Sequence, residues 1–301
     1  GNPATDIMSW AVYGQATYDL TDRLSVTGGL RYSRERNKSW LAGTTAPVSA
    51  TFNDTSPYIG VNFQLDPDIL LYAKASKGFR AGGITPNAAL PSGGLAFAPE
   101  TAWTYEAGSR MEFLDGRLRV NPTVFFTNWK NIQFNVLIPT PTTVVAATDN
   151  AGDAQIKGFE LESEFAVTDQ LMLNGSLSLL DGHYTRVSGL TYTTYPFGFF
   201  ACAGGVPGAC VNLPNITRDT PLQRAPKAKF NLGAQYTYPL GTDSDLVASL
   251  NYSWTDKQSS AVTIADAVEM PAYGVLNARL QYDLPGGQWS VAVFGTNLTN
   301  E

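Results

Sequence analysis

Three carboxylates are the side chains of this 301-residue sequence best suited to acid–base chemistry. Glu160, Glu162 and Glu164 alternate along one predicted strand, so they share one face. Paired carboxylates can hydrolyse glycosidic bonds, one as the acid and the other as nucleophile or base. Three like charges on one face also need solvent and countercharge. Nearby predicted strands offer three cations for this purpose, namely Arg110, Arg117 and Lys157. We therefore interpret the row as a charged wall and not as an active site.

The remaining residues offer little for catalysis. His183 is the only histidine, which leaves no spare partner for a Ser-His-Asp triad and no His-rich metal site. It lies near the end of a predicted strand, where an ordinary polar contact is favoured over a ligand role. The sequence predicts no catalytic residue, no metal site and no cofactor, and thus a protein that is not an enzyme.

Two cysteines lie close together in the longest connection between predicted strands. Cys202 and Cys210 would close a short loop, and in an oxidising compartment such a pair forms a disulfide. The chain-entropy estimate for a loop of this size is ~2–3 kcal/mol. We expect the bridge to stiffen an external loop, with a pair of free thiols as the alternative.

The strands that would carry these residues show a two-residue alternation. In residues 100–114, polar side chains fall on one face and apolar ones on the other, because side chains alternate across a strand. The polar face carries Glu100, Thr104, Glu106, Arg110 and Glu112. The apolar face carries Trp103, Tyr105, Ala107, Met111 and Phe113. The segment ends at an Asp-Gly pair, which is a tight-hairpin signal, and a second alternating run follows.

About twelve such segments occur along the chain, and they are roughly twice as long as the ~5–6 residues usual in soluble proteins. They cover residues 7–19, 23–36, 52–66, 69–80, 100–114, 117–134, 155–167, 171–185, 224–238, 246–257, 272–284 and 288–299. Short and long connections alternate between them. Transmembrane barrels place short turns in the periplasm and long loops outside. The sequence therefore predicts an all-β fold, a transmembrane antiparallel up-and-down β-barrel, and a soluble β-sandwich is the alternative.

Composition agrees with this interpretation. Charged residues make up 15% of the chain, against ~25% in average soluble domains. The sequence contains no run of ~18 apolar residues, so it predicts no membrane-spanning helix. The net charge of −6 and the lack of a basic block argue against nucleic acid as a partner.

Six segments in order resemble the barrel of a TonB-dependent outer-membrane receptor, and together they extend over essentially the whole chain. They are residues 13–24, 29–32, 72–83, 99–100 with 105–108, 158–162 and 295–300. The resemblance implies active import of a scarce nutrient, most often a ferric siderophore, across the bacterial outer membrane. TonB would deliver the energy through an N-terminal plug domain. The implied partners are thus TonB, a siderophore or similar small ligand, and outer-membrane lipid. A passive porin-like barrel is the alternative, and a soluble β-rich carbohydrate-binding protein is a weaker one.

The number of strands bears on domain organisation. Large outer-membrane transporters have 22 strands and a plugged lumen, so twelve strands correspond to the C-terminal part of such a barrel. An open sheet cannot lie in hydrocarbon with unpaired edges. We therefore expect residues 1–301 to be a partial barrel domain without its plug domain and final strand.

Two groups of residues are candidates for ligand capture. Arg80 follows Phe79 at the end of a predicted strand, before a loop that contains Phe97. A cation near aromatic rings could hold an anionic iron chelate through charge-assisted bonds. Pairing of Arg80 with Glu100 or Glu106 is the alternative, and we favour it slightly. The second group is an aromatic-rich loop that could bind ligand or only cover the barrel mouth, with Tyr192, Tyr195, Phe197, Phe199 and Phe200.

Overall fold

Long antiparallel strands dominate the structure, a computed structural model that describes residues 4–40, 47–87, 90, 94–139, 144–187, 193–194, 211–212, 218–241, 243–260 and 269–300. Twelve of them form one sheet. They are β1 (Ala4–Thr21), β2 (Leu24–Trp40), β3 (Val48–Asp66), β4 (Ile69–Arg80), β7 (Glu100–Phe113), β8 (Leu118–Pro139), β9 (Val144–Ala166), β10 (Leu171–Val187), β13 (Ala228–Pro239), β14 (Asp245–Thr255), β17 (Tyr273–Asp283) and β18 (Ser290–Gly295). Short two-stranded pairs occupy three of the connections. These are β5 (Gly83–Pro86) with β6 (Gly94–Phe97), β11 (Thr193–Thr194) with β12 (Val211–Asn212), and β15 (Gln258–Ser259) with β16 (Glu269–Met270). No helix of the described residues is long and apolar enough to cross a membrane.

The twelve strands correspond one to one with the twelve predicted from the alternation, and the predicted all-β antiparallel class is confirmed. Several strands extend further than predicted, and the largest extensions are at the ends of β8 and β9 that face each other. β8 ends at Pro139 and not near residue 134, and β9 begins at Val144 and not near residue 155. Their pairing shifts register between Trp129 and Gln133. Because each such irregularity breaks the two-residue period, the alternation does not predict the part of either strand between the irregularity and the connection that joins β8 to β9.

The short turns use the same local chemistry at two places. The hydroxyl Oγ1 of Thr21 accepts a hydrogen bond from the backbone N–H of Leu24 at 3.0 Å, and that of Thr168 accepts one from Leu171 at 2.9 Å. Both turns begin with Thr-Asp and end with Leu, so the threonine satisfies a backbone donor as the chain reverses. In the Asp-Gly turn after β7, Gly116 has a φ of +79°, which glycine adopts without strain.

One face of the sheet is polar and is held by side-chain hydrogen bonds between neighbouring strands. These join Thr17 to Thr27 at 2.8 Å, Thr104 to Thr127 at 2.9 Å, and Asn231 to Asn251 at 2.9 and 3.1 Å. We call this the inner face. Ser, Thr and Asn side chains here replace the apolar core that a sandwich would place between two sheets.

The opposite, outer face is apolar and open. Aliphatic side chains that are each more than half exposed lie on it, among them Val12, Leu30, Ile59, Val124, Leu232 and Leu250. Apolar surface of this extent is unfavourable in water and suits contact with lipid.

Aromatic rings cluster on the outer face towards the ends of the strands that lead into long connections. Ring centroids are 5.7 Å apart for Trp10 and Tyr32, 6.2 Å for Trp103 and Tyr105, and 5.6 Å for Phe230 and Trp254. Rings with an apolar body and a polar edge favour the level of lipid headgroups. The rings therefore mark one border of the lipid-facing band.

Buried hydrophobic clusters lie only at the long-connection end within the described residues. One contains Ile132, Ala154, Tyr184 and Leu222, and the other contains Leu90, Val145 and Ala147. Each cluster joins a connecting segment to the strands beside it. β1 and β18 form the two edges of the sheet, and within the described residues each pairs on one side only.

Candidate functional site

The connection between β4 and β7 folds over the inner face as the β5–β6 hairpin. On one side, Nδ2 of Asn37 in β2 donates to the carbonyl of Gly82 at 2.8 Å. On the other side, Nε2 of Gln133 in β8 donates to the carbonyls of Ala81 and Ala98 at 2.8 and 3.1 Å. Because β2 and β8 are separated by three strands of the sheet, the base of the hairpin is held from both sides.

β9 adds further bonds to the same hairpin. Oδ1 of Asn150 accepts the backbone N–H of Ala98 at 2.6 Å, and its Nδ2 donates to the carbonyl of Ala98 at 3.0 Å. The hydroxyl of Thr85 accepts the N–H of Thr148 at 3.0 Å. Side-chain amides on three strands thus replace the main-chain pairing that the hairpin lacks at its base.

Two adjacent glycines allow the hairpin to approach the sheet. A Cβ atom on Gly82 would lie 2.8 Å from the ring of Phe52, and one on Gly83 would lie 2.7 Å from the ring of Phe97. Real Cβ contacts are longer than this, so only glycine fits at these positions without displacement of its neighbours.

The structure corrects the favoured pairing of Arg80. Arg80 lies on the inner face directly opposite Glu100, yet it forms no ion pair among the described residues. Glu100 is buried and accepts the backbone N–H of Gln133 at 2.6 Å, while Glu106 pairs with Lys74 at 2.9 Å. The predicted pairing of Arg80 with either glutamate is therefore wrong, and Arg80 is an exposed cation on the inner face.

The two aromatic residues proposed to accompany Arg80 lie elsewhere. Phe79 is opposite Thr101 in the β4–β7 register, and strand alternation places it on the outer face, away from Arg80. Phe97 is in β6, where its ring packs over Gly83. The expected cluster of one cation and two rings does not form. The alternation of β4 already contained this information, since neighbouring residues of a strand point to opposite faces.

The glutamate row lies on the inner face of β9, as predicted, with Glu160, Glu162 and Glu164 opposite polar residues of β10. Its countercharge differs from the expectation. Arg119 contacts Glu164 at 3.9 Å and Glu112 at 3.0 Å. Arg117 instead donates to main-chain carbonyls, Lys157 lies on the outer face opposite Asp181, and Arg110 forms no ion pair among the described residues.

A charged cluster that was not predicted from the sequence joins β8, β9 and β10 towards their long-connection ends. Asp153 is buried and accepts two hydrogen bonds from Arg186 at 2.9 and 3.0 Å. It also accepts the backbone N–H of Asn131 at 2.9 Å and contacts Lys130 at 3.4 Å. Asn131 has a φ of +53°, and both β8 and β10 shift register here. The carboxylate thus satisfies backbone and side-chain donors that the irregular strands present.

A cavity also lies beside residues 218–227, between β10 and β14. This cavity of about 550 Å³ has a polar, mixed-charge lining that includes His183, Arg218, Asp256, Lys257 and Glu269. Lys257 pairs with Glu269 at 3.1 Å. No group of three or more metal-binding side chains is found in the part of the chain that the structure describes.

The other candidate residues fall outside the described residues. They are the aromatic loop residues Tyr192, Tyr195, Phe197, Phe199 and Phe200, and the two cysteines Cys202 and Cys210. Their predicted roles, in ligand contact and in a disulfide, stay predictions.

The structure thus has a polar inner face and an apolar outer face with an aromatic border. A hairpin folds inwards at its long-connection end. A family model described as TonB dependent receptor-like, beta-barrel matches residues 1–298. The chain belongs to this family. The predicted fold and the predicted location in the outer membrane are thereby confirmed, and the soluble and porin-like alternatives are not favoured.

Curated relatives agree with this family. The metal-pseudopaline receptor CntO of Pseudomonas aeruginosa (strain UCBPP-PA14) is 29% identical over 283 residues, which is 90% of this chain and 34% of the relative. The pesticin receptor of Yersinia pestis is 26% identical over 287 residues, which is 89% of this chain and 40% of the relative. The chain therefore spans about a third to two-fifths of the length of these two relatives.

Solved structures show the same fold. The ferric yersiniabactin uptake receptor FyuA from Yersinia pestis superposes with a TM-score of 0.73 at 17% sequence identity. The match covers 99% of this chain and 42% of that one. The twelve-stranded sheet thus has the form of one part of a TonB-dependent receptor barrel.

Proposed function

We propose that this chain forms part of the wall and mouth of an outer-membrane receptor that imports a metal chelate, with a ferric siderophore as the most suitable ligand class. The relatives support this proposal through their names, which specify metal-pseudopaline and ferric yersiniabactin as ligands. Energy for import would come from TonB, acting through a plug domain supplied by the rest of the protein. Transport, and not catalysis, is the proposed activity.

Arg80 is the residue that we propose to contact the ligand within the mouth. It is an exposed arginine on the inner face, and neither nearby glutamate neutralises it, since Glu100 and Glu106 have other partners. Siderophores and their iron complexes commonly expose anionic oxygens, which a guanidinium binds through paired hydrogen bonds. This exposed, unneutralised cation beneath an anchored hairpin is the observation that carries the proposed site.

Phe97 and the aromatic loop complete the proposed mouth. Phe97 lies in the β5–β6 hairpin with its ring over Gly83. Together with Tyr192, Tyr195 and Phe199 it would extend the apolar surface that surrounds a chelate. Phe79 is withdrawn from this set because it lies on the outer face. Apolar rings and one cation suit a ligand with an apolar framework and an anionic head.

Arg80→Gln and Arg80→Lys in the complete receptor test this site. A charge-assisted hydrogen bond contributes about 1.5–3 kcal/mol, so Arg80→Gln should weaken binding of an anionic ferric siderophore about 10–150-fold. Arg80→Lys should restore part of the affinity. Arg23→Gln, in an exposed short turn at the opposite end of the wall, is the matched control and should bind as wild type. Equal affinity for the Arg80→Gln and Arg23→Gln receptors would exclude Arg80 from the site.

Uptake of the radiolabelled chelate separates import from passive passage. We expect uptake by cells that carry the receptor to stop when the tonB gene is deleted, while surface binding of the chelate persists. Uptake that continues without TonB would favour the porin-like alternative.

A further inference from the structure

β3 pairs on both sides only in the half that leads to its short turn. Its pairing with β2 continues as far as Val48, the first residue of the strand. Its pairing with β4 ends at Tyr58, which lies opposite Ser76, although β4 itself continues to Arg80 in its ladder with β7. Towards the long connections, β3 and β4 therefore separate, and β3 keeps a single neighbour.

A proline accounts for the place at which the two strands separate. The backbone N–H of Gln64 donates to the carbonyl of Arg23 at 2.7 Å, so even-numbered residues of β3 direct their main chain towards β2 and odd-numbered ones direct it towards β4. Pro57 is odd-numbered and comes directly after the last pair with β4. Because proline has no N–H, the next pair of ladder bonds, with Lys77, cannot form.

Beyond the separation, three residues of β3 present an open strand edge. Ser49, Thr51 and Asn53 direct their main chain away from β2, and each carries one donor and one acceptor. None of these backbone groups is hydrogen-bonded to any residue that the structure describes. All three residues are exposed. We call them the edge residues.

The surroundings close this edge below and on the inner side but not on the outer side. Below it, Nζ of Lys77 donates to Oδ1 of Asp54 and, at 3.2 Å, to the carbonyl of Thr55. On the inner side, the β5–β6 hairpin approaches through Gly82, beside the ring of Phe52. An additional strand would therefore have to reach the edge from outside the barrel.

The edge residues lie above the membrane. Asn53 is 13 positions from Asp66, the last residue of β3 before its short turn. With a rise of ~3.3 Å per residue and a tilt of ~40°, this corresponds to about 33 Å, against an apolar band of about 25 Å. An unpaired edge is not tolerated in hydrocarbon, whereas in water it is a template for pairing with another chain.

Positive charge lies beside the edge. The β2 residues opposite the edge residues are Arg34, Arg36 and Lys38. None of them forms an ion pair with any residue that the structure describes, and the single carboxylate opposite them in β1 is Asp6. Cations and edge residues share the outer face, and the edge side chains are short, so the longer cations can extend over them towards an added strand.

We propose that the edge residues bind an extended segment of another protein at the cell surface, with acidic side chains at alternate positions of that segment. Main-chain hydrogen bonds would add the segment to the sheet beside β3. Alternate side chains of the added strand share its outer face, where carboxylates would meet the β2 cations. This binding is independent of nutrient import, because it leaves the inner face and Arg80 free.

Amide hydrogen exchange of the complete receptor, measured at single residues by mass spectrometry, tests whether the edge is open. The N–H groups of Thr51 and Asn53 should exchange on the order of a hundredfold faster than those of Ala50 and Phe52. The latter two point towards β2 and are controls within the same strand. Equally slow exchange of all four N–H groups would overturn the proposal, because the edge would then already be covered.

The probe for binding is a fluorescently labelled, capped peptide of seven residues in which glutamate and threonine alternate. It is titrated onto the complete receptor in neutral detergent and followed by fluorescence anisotropy. We expect saturable binding, at least about tenfold weaker when lysine replaces every glutamate. Two N-methylated forms are matched to each other, one methylated at the glutamate nitrogens and the other at the threonine nitrogens. Because alternate N–H groups of a strand point to opposite sides, only one form should lose binding.

A pair of variants tests the same contact from the receptor. Thr51→Pro removes one donor from the edge and leaves the pairing with β2 intact, since that N–H points away from β2. It should weaken binding of the peptide at least about tenfold, because the ring also obstructs the incoming strand. Thr51→Val keeps the N–H and nearly the same side-chain volume, and it should bind as wild type.

Three binding results would overturn the proposal. One is the absence of saturable binding by the glutamate peptide. Another is equal affinity for the two N-methylated forms, which would exclude addition of a strand. The third is equal affinity of the Thr51→Pro and Thr51→Val receptors. If Thr51→Pro does not fold, as judged by the heat-dependent gel shift of the barrel, the two methylated peptides on the wild-type receptor decide the matter.

Discussion

An arginine placed on each face of β10 tests the orientation of the whole wall. Leu177 lies on the outer face, opposite Leu161 of β9 and Phe230 of β13. It is six positions beyond Leu171, where β10 begins after its short turn, so it lies at a height of about 15 Å in an apolar band of about 25 Å. A guanidinium near the midplane costs about 2–4 kcal/mol, and we expect Leu177→Arg to lose that much stability.

The neighbouring residue is the matched control. Ser178 lies on the inner face, opposite Glu160 and Lys229, and an arginine there reaches water and a carboxylate. Ser178→Arg should therefore change stability by less than about 1 kcal/mol. Guanidinium-induced unfolding of the complete receptor in phospholipid vesicles gives both values. Equal losses for the two variants, or a larger loss for Ser178→Arg, would refute the assignment of the faces.

Three further predictions concern the long-connection end. Gly82→Ala should loosen the hairpin by about 1–3 kcal/mol, because the added methyl group would overlap the main chain at Phe97 and the ring of Phe52, and faster proteolysis of residues 81–99 would reveal this, whereas Gly14→Ala, which meets open space, should have no such effect. Asp153→Asn removes the charge that two cations share, and because both cations are half exposed we expect a loss of only about 1–2 kcal/mol in the free energy of unfolding. Thiol counting of the denatured receptor should find Cys202 and Cys210 blocked until a reductant is added, and two free thiols beforehand would contradict the disulfide.

The strands of the wall were predictable because the pattern that specifies them lies in consecutive residues. Each strand must place apolar side chains towards lipid and polar ones inwards, so a period of two runs through sequences such as residues 171–179 without reference to the rest of the chain. The turns were predictable for the same reason. Thr21 and Thr168 bind backbone donors only three residues away, and such contacts leave a signature in consecutive residues.

The mouth was less predictable because its contacts join distant parts of the chain. Asn37 binds Gly82 and Gln133 binds Ala81, and nothing in either local sequence specifies the partner. The error about Arg80 has a related cause. Of the two glutamates predicted as partners, Glu100 is the cross-strand neighbour of Arg80, but that carboxylate is bound by the backbone N–H of Gln133, which lies beside the irregularities in β8. Charge and register alone therefore suggested a pairing that a third strand prevents.

The unequal lengths of the strands make the rim of this wall slope. β8 and β9 have 22 and 23 residues, whereas β14 and β17 have 11 each. At ~3.3 Å per residue and a tilt of ~40°, the difference corresponds to a drop of about 30 Å from the high side to the low side. A ligand that arrives over the high side must pass the β8–β9 hairpin, whereas on the low side the strands end close to the membrane surface. The connection at residues 256–272 joins two of the short strands, and the connection at residues 188–227 leads from β10, with 17 residues, down to β13, with 12. Exchange of these two segments between related receptors should alter which ligands gain access while every strand of the sheet stays unchanged.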